Sequence, residues 1–240
     1  MLINELVKSI FYKLGFDLKR LSVNSNTSYQ LLKCLEHFNI ELVLDIGANR
    51  GQFASELVSF GYKGWIVSFE PLSLPHQKLC AAASANRKWT VHERCAIGDI
   101  NGEIDINVSG NSVSSSILPI LNAHVSASAD SIFIGLERVP IFRLDTLAPS
   151  YLQNSNRFFI KIDTQGFEWQ VLDGGPEALS EASGVLCELS LTQLYENQHL
   201  WLELIQRLES LGFTLWSIQD GFTDPSTGRT LQVDAVFFRL

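Results

Sequence analysis

From Tyr29 onward, short apolar runs keep alternating with longer stretches of helical spacing, and this alternation restricts the possible folds more than any other feature of the chain. Residues 42–46, 65–69, 89–97, 158–162 and 184–189 are short, apolar and rich in β-branched or aromatic side chains, the pattern of buried strands. The stretches "FASELVSFG", "LPHQKLCAAAS", "FEWQVLDGG" and "LWLELIQRLESLG" between them read as helices. Strand alternating with helix predicts a mainly parallel sheet covered on both faces. The C-terminus departs from the rule, because "GFTLWSI" and "VDAVFFRL" are joined by a Gly-, Asp- and Pro-containing turn with no helix. Two such strands pair antiparallel, so one strand is expected to run against the others.

Two segments stand apart from this core. Residues 1–21 place Leu2, Leu6, Ile10 and Leu14 four apart beside Ile3, Val7 and Phe11, which predicts an amphipathic helix. It packs on the main body or on a second copy of the chain as a homodimer, and Lys13, Lys19 and Arg20 near its polar side also suit an anionic membrane surface. We take 1–38 as a helical appendage and 39–240 as the main domain. Within that domain, 109–138 holds eight serines between Ser109 and Ser131 and reads as a surface insertion, either a plain connector or a wall beside a ligand crevice.

With 46% apolar residues, 240 residues can fill a substantial core without staples. Cys34, Cys80, Cys95 and Cys187 form no CxxC pair and sit near no histidine cluster, so neither disulfides nor a metal is expected, and a reducing cytoplasm fits. A net charge of −8 without a dense basic run argues against a nucleic-acid face. No stretch is long and apolar enough for a transmembrane helix.

The most informative stretch for chemistry is "VLDIGANRGQF", a strand ending in an acid and followed by a glycine turn that opens a helix. In doubly wound sheets such a turn approaches a nucleotide or nucleoside ligand. The dinucleotide fingerprint is poorly met, since Asn49 stands at its second glycine position, and no phosphate loop is present. Asp45 just before the turn would repel a pyrophosphate and suit a ligand that is positive at that end. Opposite unit charges at close range attract by about 4 kcal/mol at an effective dielectric constant of 20. S-adenosylmethionine, with its sulfonium and ammonium groups, meets that requirement. Glu70 closes the next strand in "VSFEP", where an acid can accept hydrogen bonds from a ribose, and "CAIGD" would flank an adenine through Ala96 and Ile97, with Asp99 near its amino group. Gly47, Ala48, Asn49, Gly51, Phe53 and Pro71 complete the expected cofactor contacts.

The order "VLDIGANRGQF", "VSFEP", "CAIGD", "SVSSSIL", "FFIKIDTQGFEWQVLDGG", "LCELSL" and "QVDAVFFRL" resembles the FkbM family of S-adenosylmethionine-dependent methyltransferases over residues 40–240. The resemblance implies a class I methyltransferase fold: an α/β, Rossmann-like three-layer sandwich with a seven-stranded, mostly parallel sheet and an antiparallel C-terminal strand. It also implies methyl transfer to a hydroxyl oxygen, here of a small molecule such as a sugar or secondary metabolite. The family's Lys-Ile-Asp-x-Glu-Gly-x-Glu is matched by Lys161, Asp163, Gly166 and Glu168, with Gln165 in place of the first glutamate. That substitution keeps the shape of the side chain but not its charge.

Asp163, at the carboxyl end of the fourth strand, is the first candidate to face the methyl group or the acceptor, as cofactor contact and as catalytic group. Glu188 in "CELS" and His124 in the serine-rich segment are further catalytic candidates, the latter because imidazole titrates in the right range. Two other readings stay open at this point: a nucleoside-binding module without activity, and an NAD-dependent oxidoreductase.

Overall fold

The computed structural model describes residues 2–153, 155 and 157–240, the side chains of 2–6 excepted. Helices α1 (Leu2–Lys13) and α2 (Thr27–His37) precede β1 (Leu42–Ile46), α3 (Gln52–Phe60), β2 (Trp65–Phe69), α4 (Ser73–Ala83) and β3 (Trp89–Val91). There follow β4 (Ala96–Gly98), β5 (Gly102–Ser109), α5 (Asn122–Ala127), β6 (Phe133–Arg143) and two single turns, α6 (Leu144–Leu147) and α7 (Pro149–Leu152). The chain continues through β7 (Phe158–Ile162), α8 (Glu168–Asp173), α9 (Pro176–Glu181), β8 (Gly184–Ser190), α10 (Trp201–Ser210), β9 (Thr214–Asp220) and β10 (Gln232–Phe238).

Seven strands form one sheet in the order β3-β2-β1-β7-β8-β10-β9. All pairs are parallel except those of β10, which runs antiparallel between β8 and β9. Every residue of β1 and β7 is buried, which is why these strands read as apolar runs interrupted only by Asp45 and Lys161. Side-chain alternation divides them between two cores. Leu42, Leu44, Ile46, Ile160 and Ile162 face Val171, Leu172, Leu204 and Leu208 of α8 and α10. Val43, Phe159, Val236 and Phe238 face Leu31, Leu35, Ala54, Leu57 and Leu79 of α2, α3 and α4. The result is the three-layer class I methyltransferase architecture.

Three segments differ from expectation. The apolar run 89–97 is two strands: β3 pairs with β2, whereas β4 joins a second, three-stranded sheet in the order β4-β6-β5. The polar triplet His92-Glu93-Arg94 turns the chain out between them, and Arg94 is anchored 2.8 Å from Glu137 of β6. The serine-rich segment is less superficial than its polarity suggests. Ser109, Ser114, Ser116, Ser131 and His124 are buried, and the hydroxyls are satisfied locally, Ser131 Oγ donating to Ser128 O and Ser109 Oγ to Asn111 Oδ1. Its last residues, from Phe133, already belong to β6.

Helix α2, inside the segment read as an appendage, buries Leu31, Leu32, Cys34 and Leu35 in the core and is capped by Asn26, whose Oδ1 accepts from Tyr29 N at 2.7 Å. On α1 and just after it, Val7, Ile10, Phe11 and Leu14 are exposed. The side chains of Leu2, Ile3 and Leu6, which complete the expected apolar stripe, lie outside the described residues. Among the described residues no helix is long and apolar enough to cross a membrane, and the four cysteines are free.

Candidate functional site

The turn after β1 is stitched to the turn after β2. Gly47 N and Ala48 N donate to Phe69 O at 3.1 and 3.0 Å. Asn49, at φ 48°, donates its backbone N–H to Glu70 Oε2 at 2.8 Å, and Leu72 N donates to Glu70 Oε1 at 2.8 Å. Burial pushes the Glu70 carboxyl up to about 7 against these two hydrogen bonds. Each oxygen keeps a second lone pair, so Glu70 can accept two more hydrogen bonds. Gly47, at φ 76°, lies so near β7 that a Cβ there would come 1.8 Å from Asp163 O. The first turn therefore abuts the strand that carries Asp163.

These residues border a cavity of about 540 Å³, a volume suited to a small ligand. Gly47, Ala48, Asn49, Phe53, Glu70, Pro71, Ala96 and Ile97 line it, as do Asp163, Glu188 and His124. The structure thus brings together all but three of the cofactor contacts and catalytic candidates expected above. Asn49 lines the cavity, and its Oδ1 is buried without a partner.

Asp45, Gly51 and Asp99 are the exceptions. Asp45 is fully buried behind the wall: Ser68 Oγ donates to its Oδ2 at 2.9 Å, Trp89 Nε1 donates to Ser68 Oγ, and Lys161 Nζ lies 3.3 Å from Oδ1. Because Asp45 and Lys161 are register partners across β1 and β7, the aspartate's charge is met within the sheet rather than by a ligand. Gly51 begins α3 at φ 84°, and a Cβ on it would meet the Trp89 ring at 2.8 Å, so its role is packing. Asp99 likewise lies off the cavity wall; its carbonyl accepts from Arg143.

Lys161 is the counter-ion that sequence reasoning missed. It bridges Asp45 and Asp163, 3.3 Å from each, and donates to Gly47 O at 3.0 Å. Burial works against its charge, but Asp163 and Asp45 outweigh it and hold its pKa above the ordinary lysine value.

Beyond Asp163 the cavity becomes acidic. Glu188 of β8 and Asp234 of β10 are register partners. Burial, then Asp163, Glu168 and Asp234, push Glu188 well above the usual carboxylate range, and burial followed by Asp163 raises Asp234 to about 7. Gln165 Nε2 donates to Asp163 Oδ1 at 2.9 Å and to Glu188 Oε2 at 2.8 Å. Glu168 turns away from this group, its Oε1 accepting from Thr164 N, Thr164 Oγ1 and Gly166 N. His124, packed against Tyr195 and Phe222, is pushed down to about 4 by burial, so it stands neutral with an unpartnered Nδ1. Gln219, Gln232 and Asp234 and the α2 residues Thr27 and Ser28 also line the cavity. The signal for Asp234 was available as an acid inside the apolar strand "QVDAVFF". Among the described residues no group of three or more His, Cys, Asp or Glu is placed to hold a metal ion.

The profile of the methyltransferase FkbM domain matches residues 45–215, well over half of the chain. No curated protein matches the chain. Similar solved structures include magnesium protoporphyrin IX methyltransferase from Synechocystis PCC 6803 with bound S-adenosylmethionine, at 11% identity and a TM-score of 0.48, covering 98% of this chain and 96% of that one. Another is precorrin-6y C5,15-methyltransferase from Geobacter metallireducens GS-15, at 12% identity and a TM-score of 0.45, covering 92% and 91%.

Proposed function

The chain belongs to the methyltransferase FkbM domain family, and from that premise we propose that it moves the methyl group of S-adenosylmethionine onto a hydroxyl oxygen of a small molecule or sugar. The cavity suits that donor. Glu70 would accept from the ribose hydroxyls, Ala96 and Ile97 would flank the base, and the unpartnered Asn49 Oδ1 would take a further donor. The cavity wall carries one lysine or arginine among the described residues, Lys161, already shared by Asp45 and Asp163, so nothing there would neutralise a pyrophosphate.

The observation that carries the hydroxyl reading is the carboxylate group Asp163, Glu188 and Asp234 in the same cavity as the glycine turn. The sulfonium supplies a methyl carbon and a leaving group that needs no protonation. What remains for the protein is to align the acceptor oxygen with that carbon and to receive the hydroxyl proton. Alignment alone can be worth about 7–11 kcal/mol. Asp234, raised by burial to about 7, is matched to receiving a proton at ordinary pH. His124 lines the same cavity as a neutral imidazole whose buried Nδ1 has no partner.

The test is incubation with labelled S-adenosylmethionine and matched alcohol, amine and thiol acceptors. Label transferred as a methyl ether supports the proposal; label appearing only on nitrogen or sulfur refutes it. For the cofactor end, Glu70→Ala removes the ribose acceptors and strands two backbone N–H groups. S-adenosylhomocysteine should then bind about 10–150-fold more weakly by calorimetry, corresponding to about 1.5–3 kcal/mol for hydrogen bonds to a charged group. Unchanged affinity would remove Glu70 from the ribose.

A further inference from the structure

We infer that Gln165 is a positioning residue for acid–base chemistry at the acceptor end: as a neutral carboxamide it gives both its hydrogens to Asp163 and Glu188 and keeps the two side by side as proton acceptors. The inference rests on the hydroxyl-methylation reading above and deepens it.

A primary amide has two N–H bonds and no titration in the accessible range, so it can bridge two carboxylates without adding charge. The 2.9 and 2.8 Å contacts from Nε2 use both hydrogens. At the other end of the amide the single Tyr195 O–H lies 3.0 Å from Gln165 Oε1 and 3.1 Å from Ser114 O, so the two carboxylates, which can only accept, set the orientation. A flipped amide would turn its carbonyl oxygen towards two carboxylates. The backbone is held just as firmly. Gln165 sits at φ 55°, an uncommon conformation for a non-glycine residue, and Ser116 Oγ donates to its carbonyl at 2.6 Å. Outliers of this kind persist where the surroundings over-determine them. With Oε2 of Glu188 occupied by the amide, Oε1 is left to take the proton as the acceptor's O–H bond breaks and its O–C bond forms.

The groups around this bridge are mainly acidic. Lys161 reaches Asp163 from the β1 side, with Asp45 behind it. Asp234 faces Glu188 from β10, Glu168 adds to the acidic side, and Tyr195, backed by neutral His124, closes it. A glutamate at position 165 would place three carboxyl groups within hydrogen-bond distance. It could bridge only by binding a proton, and then with one hydrogen instead of two.

The test compares thermal midpoints of the full ligand-free chain for wild type, Gln165→Glu and Gln165→Met at pH 5.5 and pH 8, a readout that needs no acceptor. A buried glutamic acid at this site has a folded pKa raised above its unfolded value. Its stability is therefore present at low pH and lost as pH rises through the folded pKa. Gln165→Glu should melt above Gln165→Met at pH 5.5 and below it at pH 8. A constant order of the two variants at both pH values overturns the inference. Should neither variant fold, the wild-type chain still answers by NMR: two Gln165 Nε2 protons shifted downfield and slow to exchange at pH 8 support the bridge, and a freely exchanging pair overturns it. Because the melting order is measured without acceptor, it can hold while the methyl-transfer assay fails, or fail while the assay succeeds. The further expectation, once an acceptor is known, is a pH optimum for Gln165→Glu moved to the acid side of wild type.

Discussion

Replacing Lys161 with methionine should cost about 3–5 kcal/mol of stability, the cost of leaving a buried ion pair half-made. Methionine keeps the apolar stem beside Phe53 but leaves Asp45 with Ser68 Oγ as its one hydrogen-bond donor, in a fully buried position. The sign with pH is fixed by the aspartate. Burial already raises the Asp45 pKa despite Lys161 and Ser68, and losing Lys161 raises it further. A carboxyl group whose folded pKa lies above its unfolded value of about 3.9 costs little where it is protonated in both states, and more as pH rises between the two. The deficit in urea unfolding should therefore be larger at pH 8 than at pH 5. The stabilisation that wild type draws from the raised Lys161 pKa is fully present at both pH values, because both lie below the lysine's unfolded pKa. Adding Asp45→Asn to the variant should recover much of the loss. Equal deficits at both pH values would show that Asp45 is not the group left uncompensated.

The second large effect is expected from Gly47→Ala. A Cβ at this position would meet Asp163 O at 1.8 Å and Asp163 C at 2.8 Å, and both are backbone atoms that cannot swing aside. The residue is also at φ 76°, which costs a non-glycine residue roughly 1–2 kcal/mol before any clash. The turn must withdraw from β7, taking with it Asn49 and its bond to Glu70. Affinity for S-adenosylhomocysteine should fall by about 100-fold or more, equivalent to ~2.7 kcal/mol. Gly61→Ala is the matched control, because Gly61 has φ 103° but nothing within 4 Å of its Cβ position. It should lower stability through backbone strain alone and leave binding unchanged. Similar binding losses in both variants would mean that strain, not the approach of β7, is responsible.

Central strands were the most legible part of the fold. Segments 42–46, 65–69 and 158–162 have the bounds the apolar pattern indicates, because in each the apolar residues outnumber a single polar one, Asp45, Ser68 or Lys161. The run 89–97 was misleading for the opposite reason: two short strands of different sheets share apolar ends around three polar residues. Burial of α2 could not be read from its own sequence, since an amphipathic helix looks the same on an appendage as on a core. At the site, Asp163 and Glu188 were found by looking towards the carboxyl ends of parallel strands. Gln232 and Asp234 escaped that rule because β10 runs the other way and meets the cavity with its beginning. Asp45 drew attention through its charge, and its register partner across the sheet, invisible in a local reading, is what satisfies that charge.

The position of β10 has a consequence for biosynthesis. Strands β8 and β9 are joined only through residues 232–238, which lie between them and bring Phe237 to one core and Phe238 to the other. A nascent polypeptide can thus assemble the nucleoside half of the cleft early on the ribosome, yet it lacks Asp234 and presents two unsatisfied strand edges until β10 emerges. Products of premature termination upstream of Gln232 should be sticky and inactive rather than weakly active.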